Sequence, residues 1–235
     1  MPMPLAPSPA PQAGLPITAV IFDMDGLLLD TEGFYTQSTQ AIAGRFGKVF
    51  DWRLKQHTLG LGALPFATMI VQALELPMTP QDFLAEREPM LEQLFVQAEA
   101  MPGAEALVRH LAAHGVPIAV ATSSRRHYVD LKTQRHRDWF ALFDAIVTPD
   151  DPEVHAAKPA PDLYAVAARR IGADPARTLA FEDSPNGVLS AVAAGLRAIA
   201  VPDPAMDRSR YTEATAILDG LQHFRPQDWG LPAMA

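Results

Sequence analysis

Short apolar runs alternate with helical patterns along most of this chain. The first run, ITAVIF at residues 17–22, is continuous and rich in β-branched side chains, which is typical of a strand buried on both faces of a parallel sheet. Four further runs, VPIAVAT, FDAIVT, RTLAF and LRAIAV, occur in the second half, together with helical patterns that end at Gly115, Gly172 and Gly195. This alternation predicts an α/β fold with a parallel sheet.

Between the first strand and this regular part, the pattern is helical throughout. Apolar residues recur at helical spacing after Thr31, and a later helix has a defined start, with Thr79 as N-cap, Pro80 at the first helical position and Asp82 three residues after the cap. Roughly seventy residues without a strand are far more than a connection in an α/β unit needs. The sequence therefore predicts an all-helical cap domain inserted into an α/β core.

The N-terminal end of the chain is not expected to fold. The first sixteen residues contain six prolines and no charged side chain, so they fit neither a helix nor a signal peptide with a basic start. The predicted organisation is a disordered Pro-rich tail at 1–16, an α/β core at 17–31 and 100–225, a helical cap at 32–99 and a C-terminal tail at 226–235.

Composition and charge narrow the class of protein. The formal net charge is −8 and no block of Lys or Arg occurs, which disfavours a nucleic-acid polymer or an anionic membrane surface as the partner. The chain has no cysteine, which excludes disulfides and thiolate metal sites, and no apolar stretch approaches the roughly eighteen residues of a transmembrane helix. We expect a cytoplasmic enzyme, a monomer by default, that acts on a small molecule.

Polar residues follow several of the predicted strands. In a layered α/β sheet, ligands bind beyond the carboxyl ends of the strands. Asp23 and Asp25 come directly after the first run, Thr122–Ser124 overlap the end of the second, and Glu182 and Asp183 follow RTLAF. Carboxylates and hydroxyls are therefore expected along one rim of the sheet.

The residue types at this rim suit phosphoryl transfer. Of Asp23 and Asp25, one carboxylate can attack phosphorus, while the other can protonate the leaving oxygen and later activate water. Oxygen ligands from Asp23 and Asp183 suit Mg²⁺, and Lys158 supplies a positive charge for the phosphoryl oxygens. The phosphate can be held at a helix start by three further residues, Thr122, Ser123 and Ser124.

Other interpretations of the acidic loop stay open. A calcium loop of the EF-hand type also begins D-x-D, but the positions that need an oxygen ligand and a glycine are occupied here by Leu27 and Leu28. The later polar residues of the loop are interpreted as caps of the following helix rather than as catalytic groups; these are Asp30, Thr31 and Glu32.

Two further sets of residues have open roles. Glu182 either orients the waters of a bound metal or repels the neighbouring carboxylate. Three histidines lack a recognisable metal-ligand spacing, and surface or structural roles are expected for them; they are His127, His136 and His155.

Four motifs, FDMDGLLLDTE, ATSS, KPAPDLY and FEDSPNGV, occur in this order and resemble the signature motifs of the haloacid dehalogenase-like hydrolase superfamily. The resemblance spans residues 17–204 and implies a Rossmann-like core, an inserted helical cap and a Mg²⁺-dependent mechanism through a phosphoaspartate. It implies these roles: Asp23 as nucleophile, Asp25 as general acid and base, Thr122 as phosphate ligand, Lys158 as charge stabiliser and Asp183 as metal ligand. The Asp25 backbone carbonyl would also contact Mg²⁺, and Glu182 and Asn186 are candidates for supporting positions.

Flanking stretches narrow the expected substrate. MPGAEALVRHL, DDPEV and FRPQDWGLP resemble the pseudouridine-5′-phosphatase branch of the superfamily, which implies pseudouridine 5′-phosphate as the best candidate. The chain departs from that branch after Gly60, where Leu61, Gly62 and Ala63 replace an expected Lys or Arg. A broad sugar-phosphate phosphatase stays an alternative, as does a β-phosphoglucomutase-like phosphotransferase, although Tyr35 stands where such mutases carry a histidine.

A function of a different class uses similar residues. In a phosphoacceptor signalling module, an aspartate at a strand end is phosphorylated to switch partners. A helical cap of this size favours turnover instead, because a cap can exclude water around a small substrate.

Overall fold

The computed structural model describes residues 15–234, and within them a parallel sheet with helices on both faces is joined to a helical cap. The strands are β1 (Ala19–Phe22), β2 (Leu29–Asp30), β3 (Glu99–Ala100), β4 (Ile118–Ala121), β5 (Ala145–Val147), β6 (Thr178–Glu182), β7 (Arg197–Ala200) and β8 (Ala216–Ile217). The helices are α1 (Glu32–Gly44), α2 (Trp52–Lys55), α3 (Ala63–Ala73), α4 (Pro80–Phe95), α5 (Ala104–Ala113), α6 (Arg126–Lys132), α7 (Arg137–Phe140), α8 (Asp162–Arg170) and α9 (Pro185–Ala193).

The main sheet has the order β5-β4-β1-β6-β7-β8, and every pair of neighbours is parallel. Its first strand lies in the middle, where Val20 and Phe22 enter one core cluster and Ile21 enters the other. Side chains of α5, α6 and α7 cover the first face, and those of α8 and α9 cover the second. Burial on both faces explains why the strands have continuous apolar sequences, and it confirms the predicted α/β class.

The cap is formed by α1–α4 and has a hydrophobic cluster of its own, which includes Ile42, Phe66, Ile70 and Phe83. Its fourth helix starts as predicted, because the Thr79 side chain accepts from the Asp82 N–H and the Asp82 carboxylate accepts from the Thr79 N–H. This helix continues through Pro89 without ending there.

A two-stranded antiparallel sheet closes the base of the cap. β2 pairs with β3, so that the chain segments entering and leaving the cap run side by side, with Leu29 opposite Ala100. The sequence pattern did not indicate this sheet. It ties together the two connections between cap and core, while the predicted limits of the two domains stay predictions.

The predicted C-terminal tail is folded against the core. The predicted disorder of residues 1–14 lies outside the described residues. The segment assigned to a C-terminal tail folds as a short 3₁₀ turn, Pro226–Trp229, in which Trp229 is buried and its carbonyl accepts from the Ile17 N–H at 3.0 Å. The Arg197 guanidinium lies over the Trp229 ring. This segment therefore covers the first strand with apolar surface. In the part of the chain that the structure covers, no helix is long and apolar enough to cross a membrane.

Candidate active site

Three carboxylates meet where two central strands end. Asp23 directly follows β1, Glu182 is the last residue of β6 and Asp183 follows it. Because β1 and β6 are parallel neighbours with Phe22 opposite Phe181, both strands deliver their next residues to the same edge. Each of the three carboxylates offers an oxygen within 4.8 Å of the others. The rim predicted from the strand ends is therefore present.

Lys158, in the loop before α8, is the cation at the centre of this group. Its side chain is 2% exposed, and its Nζ donates to Asp23 Oδ1 at 2.6 Å, to Glu182 Oε1 at 2.5 Å and to the Ala121 carbonyl at 2.9 Å. Burial alone would lower the pKa of this ammonium, but the adjacent carboxylates outweigh burial and raise its pKa. The lysine therefore stays charged beside Asp23.

Three carboxylates share the single cation Lys158, which disfavours ionisation of all three at once. Burial raises the pKa of Asp23 to about 7, against the attraction of Lys158 and with further repulsion from Glu182. Burial and then the repulsion from Asp23 also raise the pKa of Asp183 well above its ordinary value. Hard oxygen donors crowded in this way fit a divalent cation such as Mg²⁺.

Asp25 lies in a separate network beside this cluster. Its Oδ1 accepts from Thr31 Oγ1 at 2.6 Å and from Lys132 Nζ at 2.5 Å, and its Oδ2 accepts from Ser124 Oγ at 2.8 Å. Burial raises the pKa of Asp25, but Lys132 and these hydrogen bonds outweigh it, so the net shift is downward. Asp23 and Asp25 thus sit in environments that push their pKa values apart.

The residues predicted to hold phosphate are not placed alike. Ser123 and Ser124 line the cavity next to the carboxylates. Thr122 is fully buried, does not belong to the cavity wall, and its Oγ1 accepts from the Ser124 N–H at 3.0 Å. Thr122 therefore shapes the loop that presents the two serines.

Glu182 and Asn186 also have defined surroundings. The fully buried Glu182 accepts from Lys158 and Tyr164 through Oε1 and from the N–H and Oγ of Ser184 through Oε2. Its carboxylate thus orients Lys158 and the start of α9, a role that neither earlier interpretation included. Asn186, in the first turn of α9, lies against the cap loop at Gly60.

Comparison with known proteins agrees with this geometry. A family model described as haloacid dehalogenase-like hydrolase matches residues 17–195. The chain belongs to this hydrolase family. The haloacid dehalogenase-like hydrolase is 48% identical over 221 residues to the Arabidopsis thaliana protein named (DL)-glycerol-3-phosphatase 2, with 92% of each chain covered. It is 44% identical over 220 residues to the Drosophila melanogaster protein named Probable pseudouridine-5′-phosphatase, covering 92% of this chain and 95% of that one.

A solved structure agrees in fold. The Deinococcus radiodurans HAD family hydrolase with bound phosphate and sodium is 28% identical, with a TM-score of 0.75 and coverage of 93% of this chain and 99% of that one. Its family and these relatives identify the chain as a phosphatase that acts on small phosphorylated metabolites.

In this hydrolase, core and cap enclose a cavity of about 310 Å³. The core contributes Asp23, Asp25, Ser123, Ser124, Lys158 and Asp183, and the cap contributes Glu32, Tyr35, Lys55, Phe66, Arg87 and Glu88. The cap loop approaches the core closely at Gly60, where an added Cβ would lie 2.8 Å from Ser184 Oγ. The enclosed carboxylates therefore face a space whose other walls belong to the cap.

Lys132 is a residue of this site that the sequence did not single out. It is fully buried at the end of α6, and its Nζ donates to Asp25 Oδ1, to Ser124 Oγ at 2.7 Å and to Tyr35 Oη at 3.0 Å. The only available signal was its spacing, since a lysine three residues after Val129 falls on the apolar face of α6.

The interpretation of the acidic loop as helix caps needs correction. Thr31 occupies the N-cap position of α1, but its hydroxyl donates to Asp25 instead of capping the helix. Glu32 lines the cavity and lies 3.4 Å from Lys55 Nζ; burial raises its pKa. Asp30 is exposed in β2.

The three histidines contact other groups than the active-site carboxylates Asp23, Asp25, Glu182 and Asp183. His127 contacts Glu92 of the cap, buried His136 contacts the Ala98 carbonyl, and the backbone N–H of His155 donates to Asp162.

Proposed function

We propose that this phosphatase hydrolyses a small phosphate monoester in a Mg²⁺-dependent reaction, through a covalent phosphate on Asp23. The observation that carries the proposal is the placement of Asp23: its carboxylate is held by Lys158 at 2.6 Å, beside Asp25 and Asp183, in the cavity under the cap. A buried carboxylate held by a charged lysine can attack phosphorus without solvent reorganisation.

Asp25 is the proposed general acid and base. In the first step an Asp23 oxygen attacks phosphorus, and the ester oxygen leaves as the alcohol after taking a proton from Asp25. In the second step Asp25 accepts a proton from water, the water oxygen attacks phosphorus, and inorganic phosphate leaves Asp23. Thr31, Ser124 and Lys132 hold the Asp25 carboxylate in one orientation through both steps.

The reaction also requires that the negative charge on the phosphoryl oxygens is neutralised. Mg²⁺ would be held by Asp23, Asp183 and the backbone carbonyl of Asp25, and when bound it neutralises charge on the phosphoryl oxygens. Lys158 adds a fixed ammonium, and Glu182 keeps that ammonium in place. Asn186 is assigned a supporting position at the start of α9.

The phosphate itself is proposed to contact Lys158 and the loop after β4. Ser123 and Ser124 reach the cavity, so their hydroxyl and backbone groups are the proposed contacts, with Thr122 included on the strength of the motif alone. The cap closes the opposite side and reduces access of bulk water to the phosphoaspartate.

Two substrates are candidates. The name of the Arabidopsis relative favours glycerol 3-phosphate, and the name of the Drosophila relative favours pseudouridine 5′-phosphate. A mutase function is less well supported, because Tyr35, whose hydroxyl accepts from Lys132, stands where such mutases carry a histidine. The cytoplasmic location and the monomeric state stay predictions.

A substrate panel tests the proposal. We expect Mg²⁺-dependent phosphate release from p-nitrophenyl phosphate and a higher kcat/KM for glycerol 3-phosphate or pseudouridine 5′-phosphate than for hexose phosphates. Folded protein without phosphate release from any member of a broad monoester panel would contradict the proposed function. A preference for hexose phosphates would exclude both named substrates and leave the reaction class intact.

The proposed roles of Asp23 and Asp25 predict different effects of their substitution by asparagine. Asp23→Asn should abolish phosphate release, because an amide cannot replace the attacking carboxylate, and Glu182, the other carboxylate bound to Lys158, does not line the cavity. Asp25→Asn should reduce kcat about 10²- to 10⁴-fold, the usual contribution of a general acid or base. Asp30→Asn, which alters an exposed carboxylate of the same loop, is the matched control and should keep normal turnover. Near-normal turnover of Asp25→Asn would remove Asp25 from this role.

A further inference from the structure

Arg87, in the middle of cap helix α4, is a buried cation without a polar partner. Only 4% of the residue is exposed, and its Nε and Nη1 have no hydrogen-bond partner within residues 15–234. No carboxylate in this part of the chain lies within ion-pair distance of it. A buried guanidinium in this condition loses its hydration without replacement, which is costly for a folded protein.

Aromatic rings surround the guanidinium but do not replace its hydrogen bonds. Its central carbon lies 4.2 Å from the centre of the Phe66 ring, 5.5 Å from that of Phe83 and 5.8 Å from that of Tyr35. These ring faces attract the positive charge, yet the N–H groups that point past them still lack acceptors. Burial lowers the pKa of Arg87 but leaves the group cationic. The missing acceptors must come from outside the chain.

The cavity is where such acceptors would arrive. Four cationic side chains line it: Lys55, Arg87, Arg125 and Lys158. Lys158 is bound to Asp23 and Glu182, Lys55 lies beside Glu32, and Arg125 is exposed. Arg87 is therefore the buried cation of the cavity wall that is still available to a ligand, among the residues described. It belongs to the cap, which also lacks a Lys or Arg at Leu61–Ala63.

The other polar groups near Arg87 indicate the chemistry of the ligand. Glu88 and Tyr128 line the same cavity, and burial together with Glu88 raises the pKa of Tyr128 to about 12, so its hydroxyl stays protonated. A carboxylate acceptor and guanidinium donors that line one cavity without contacting each other match a hydroxyl, which both accepts and donates. A second anion would instead meet Glu32 and Glu88, which disfavours bisphosphates and phosphorylated acids.

We propose that Arg87 binds a hydroxyl group of the leaving alcohol and so makes the enzyme selective for phosphate esters of hydroxylated alcohols. The inference rests on the proposed phosphatase function and adds the residue that recognises the non-reacting part of the substrate. Hydrogen bonding to a buried polar group discriminates strongly, because an analogue without the hydroxyl leaves that group unpaired. Both candidate substrates carry such hydroxyls.

The test compares two substrates that differ only in hydroxyl groups. We measure kcat/KM for glycerol 3-phosphate and for propyl phosphate with wild type, Arg87→Met and the matched surface control Arg53→Met, which changes an exposed arginine of the cap. Loss of a hydrogen bond to a charged group predicts that the ratio of the two values falls about 10- to 100-fold in R87M. The ratio in R53M should equal that of wild type.

Folding is checked through the thermal midpoint of each variant. Methionine is chosen because it suits the aromatic surroundings of Arg87. R87K keeps the charge but loses the guanidinium fork, so it should show a smaller fall of the same ratio. If R87M does not fold, R87K serves as the test variant. A ratio within about threefold of wild type in the folded Arg87 variants overturns the inference while the phosphatase function stands. A wild-type preference for 3-phosphoglycerate that R87M removes also overturns it, since the ligand is then an anion. Absence of turnover of every ester by wild type contradicts the proposed function itself.

Discussion

Asp25 can act as a base in the second proposed step only while it is ionised. Burial opposes ionisation, and the Lys132 ammonium restores it, so that the pKa of Asp25 ends below its ordinary value. Lys132 keeps its own charge because Asp25 outweighs the effect of burial and raises the pKa of the lysine. In the free enzyme each member of this pair therefore keeps the other charged, so Asp25 has to gain a proton before it can act as the acid of the first step.

Replacing Lys132 by methionine should raise the pKa of Asp25, because the ammonium that lowers this pKa against the effect of burial is then lost. The base is protonated as pH falls, so the acidic limb of the kcat profile should move to higher pH. This is measured with p-nitrophenyl phosphate, whose good leaving group makes breakdown of the phosphoaspartate the slower step. Lys132→Arg keeps the charge and should retain the limb near its wild-type position. An unshifted limb in folded K132M would show that Lys132 does not control Asp25.

Only some residues of the active site could be predicted from the sequence. Asp23, Asp25 and Asp183 follow apolar strands, and parallel strands end at a common edge, so their convergence could be predicted from pattern alone. Lys132 and Arg87 come from helices, and whether a helical lysine or arginine faces a cavity or solvent depends on packing between elements that are distant in sequence. Spacing places both on partly apolar faces but assigns them no partner.

At the scale of elements, the first turn of α9 is packed against the site. Ser184 caps this helix by accepting from the Gly187 N–H, and the same serine donates to Glu182. A Cβ on Gly187 would lie 1.8 Å from the Glu182 carboxylate, which is far too close for any side chain. The glycine is thus required by the approach of the carboxylate that holds Lys158.

Gly187→Ala should therefore lower both stability and kcat, although alanine normally favours a helix. Glu182 must move, and Lys158 loses its support; we expect a destabilisation of about 1–3 kcal/mol, as for overpacking in a core. Gly33→Ala is the matched control, since Gly33 lies in the first turn of α1 with no atom within 4 Å of the added Cβ, and it should stabilise by roughly 0.5–1 kcal/mol. Denaturant unfolding measures both. Equal stability of the two variants would contradict this account.

Elements with a clear period were predictable and short ones were not. The capping box at Thr79 and the apolar run of β1 are local signals, and the structure contains both. The β2–β3 pair consists of two residues from each side, which is too short for an alternation to be detectable. Its pairing depends on the cap folding back, a property of the whole molecule.

On the scale of the whole molecule, the cap has a hydrophobic cluster of its own and meets the core through polar contacts around the cavity and through a few apolar residues such as Trp52 and Leu59. Tyr35 of the cap accepts from Lys132 of the core, and Arg210 of the core donates to the Gln56 carbonyl of the cap at 2.7 Å. Polar contacts of this kind can be exchanged with water when the cap moves, whereas the hydrophobic clusters inside the core and inside the cap stay intact. The arrangement suits a cap that opens to admit substrate.

From the charge balance of the core, we expect a divalent cation to stabilise the whole molecule. Asp183 is half-buried, its carboxylate receives no hydrogen bond from the described residues, and Asp23 and Glu182 repel it. Mg²⁺ at about 100 times its Kd should add about 2.7 kcal/mol to the free energy of unfolding, which corresponds to a rise in Tm of roughly 5–10 °C. Asp183→Asn should raise the Tm of the metal-free protein, because the repulsion is removed, and should lose most of the Mg²⁺-induced rise. Asp30→Asn, at an exposed position, should behave as wild type in both respects. Differential scanning fluorimetry with EDTA or Mg²⁺ gives these values, and a full Mg²⁺-induced rise in D183N would exclude Asp183 as a ligand.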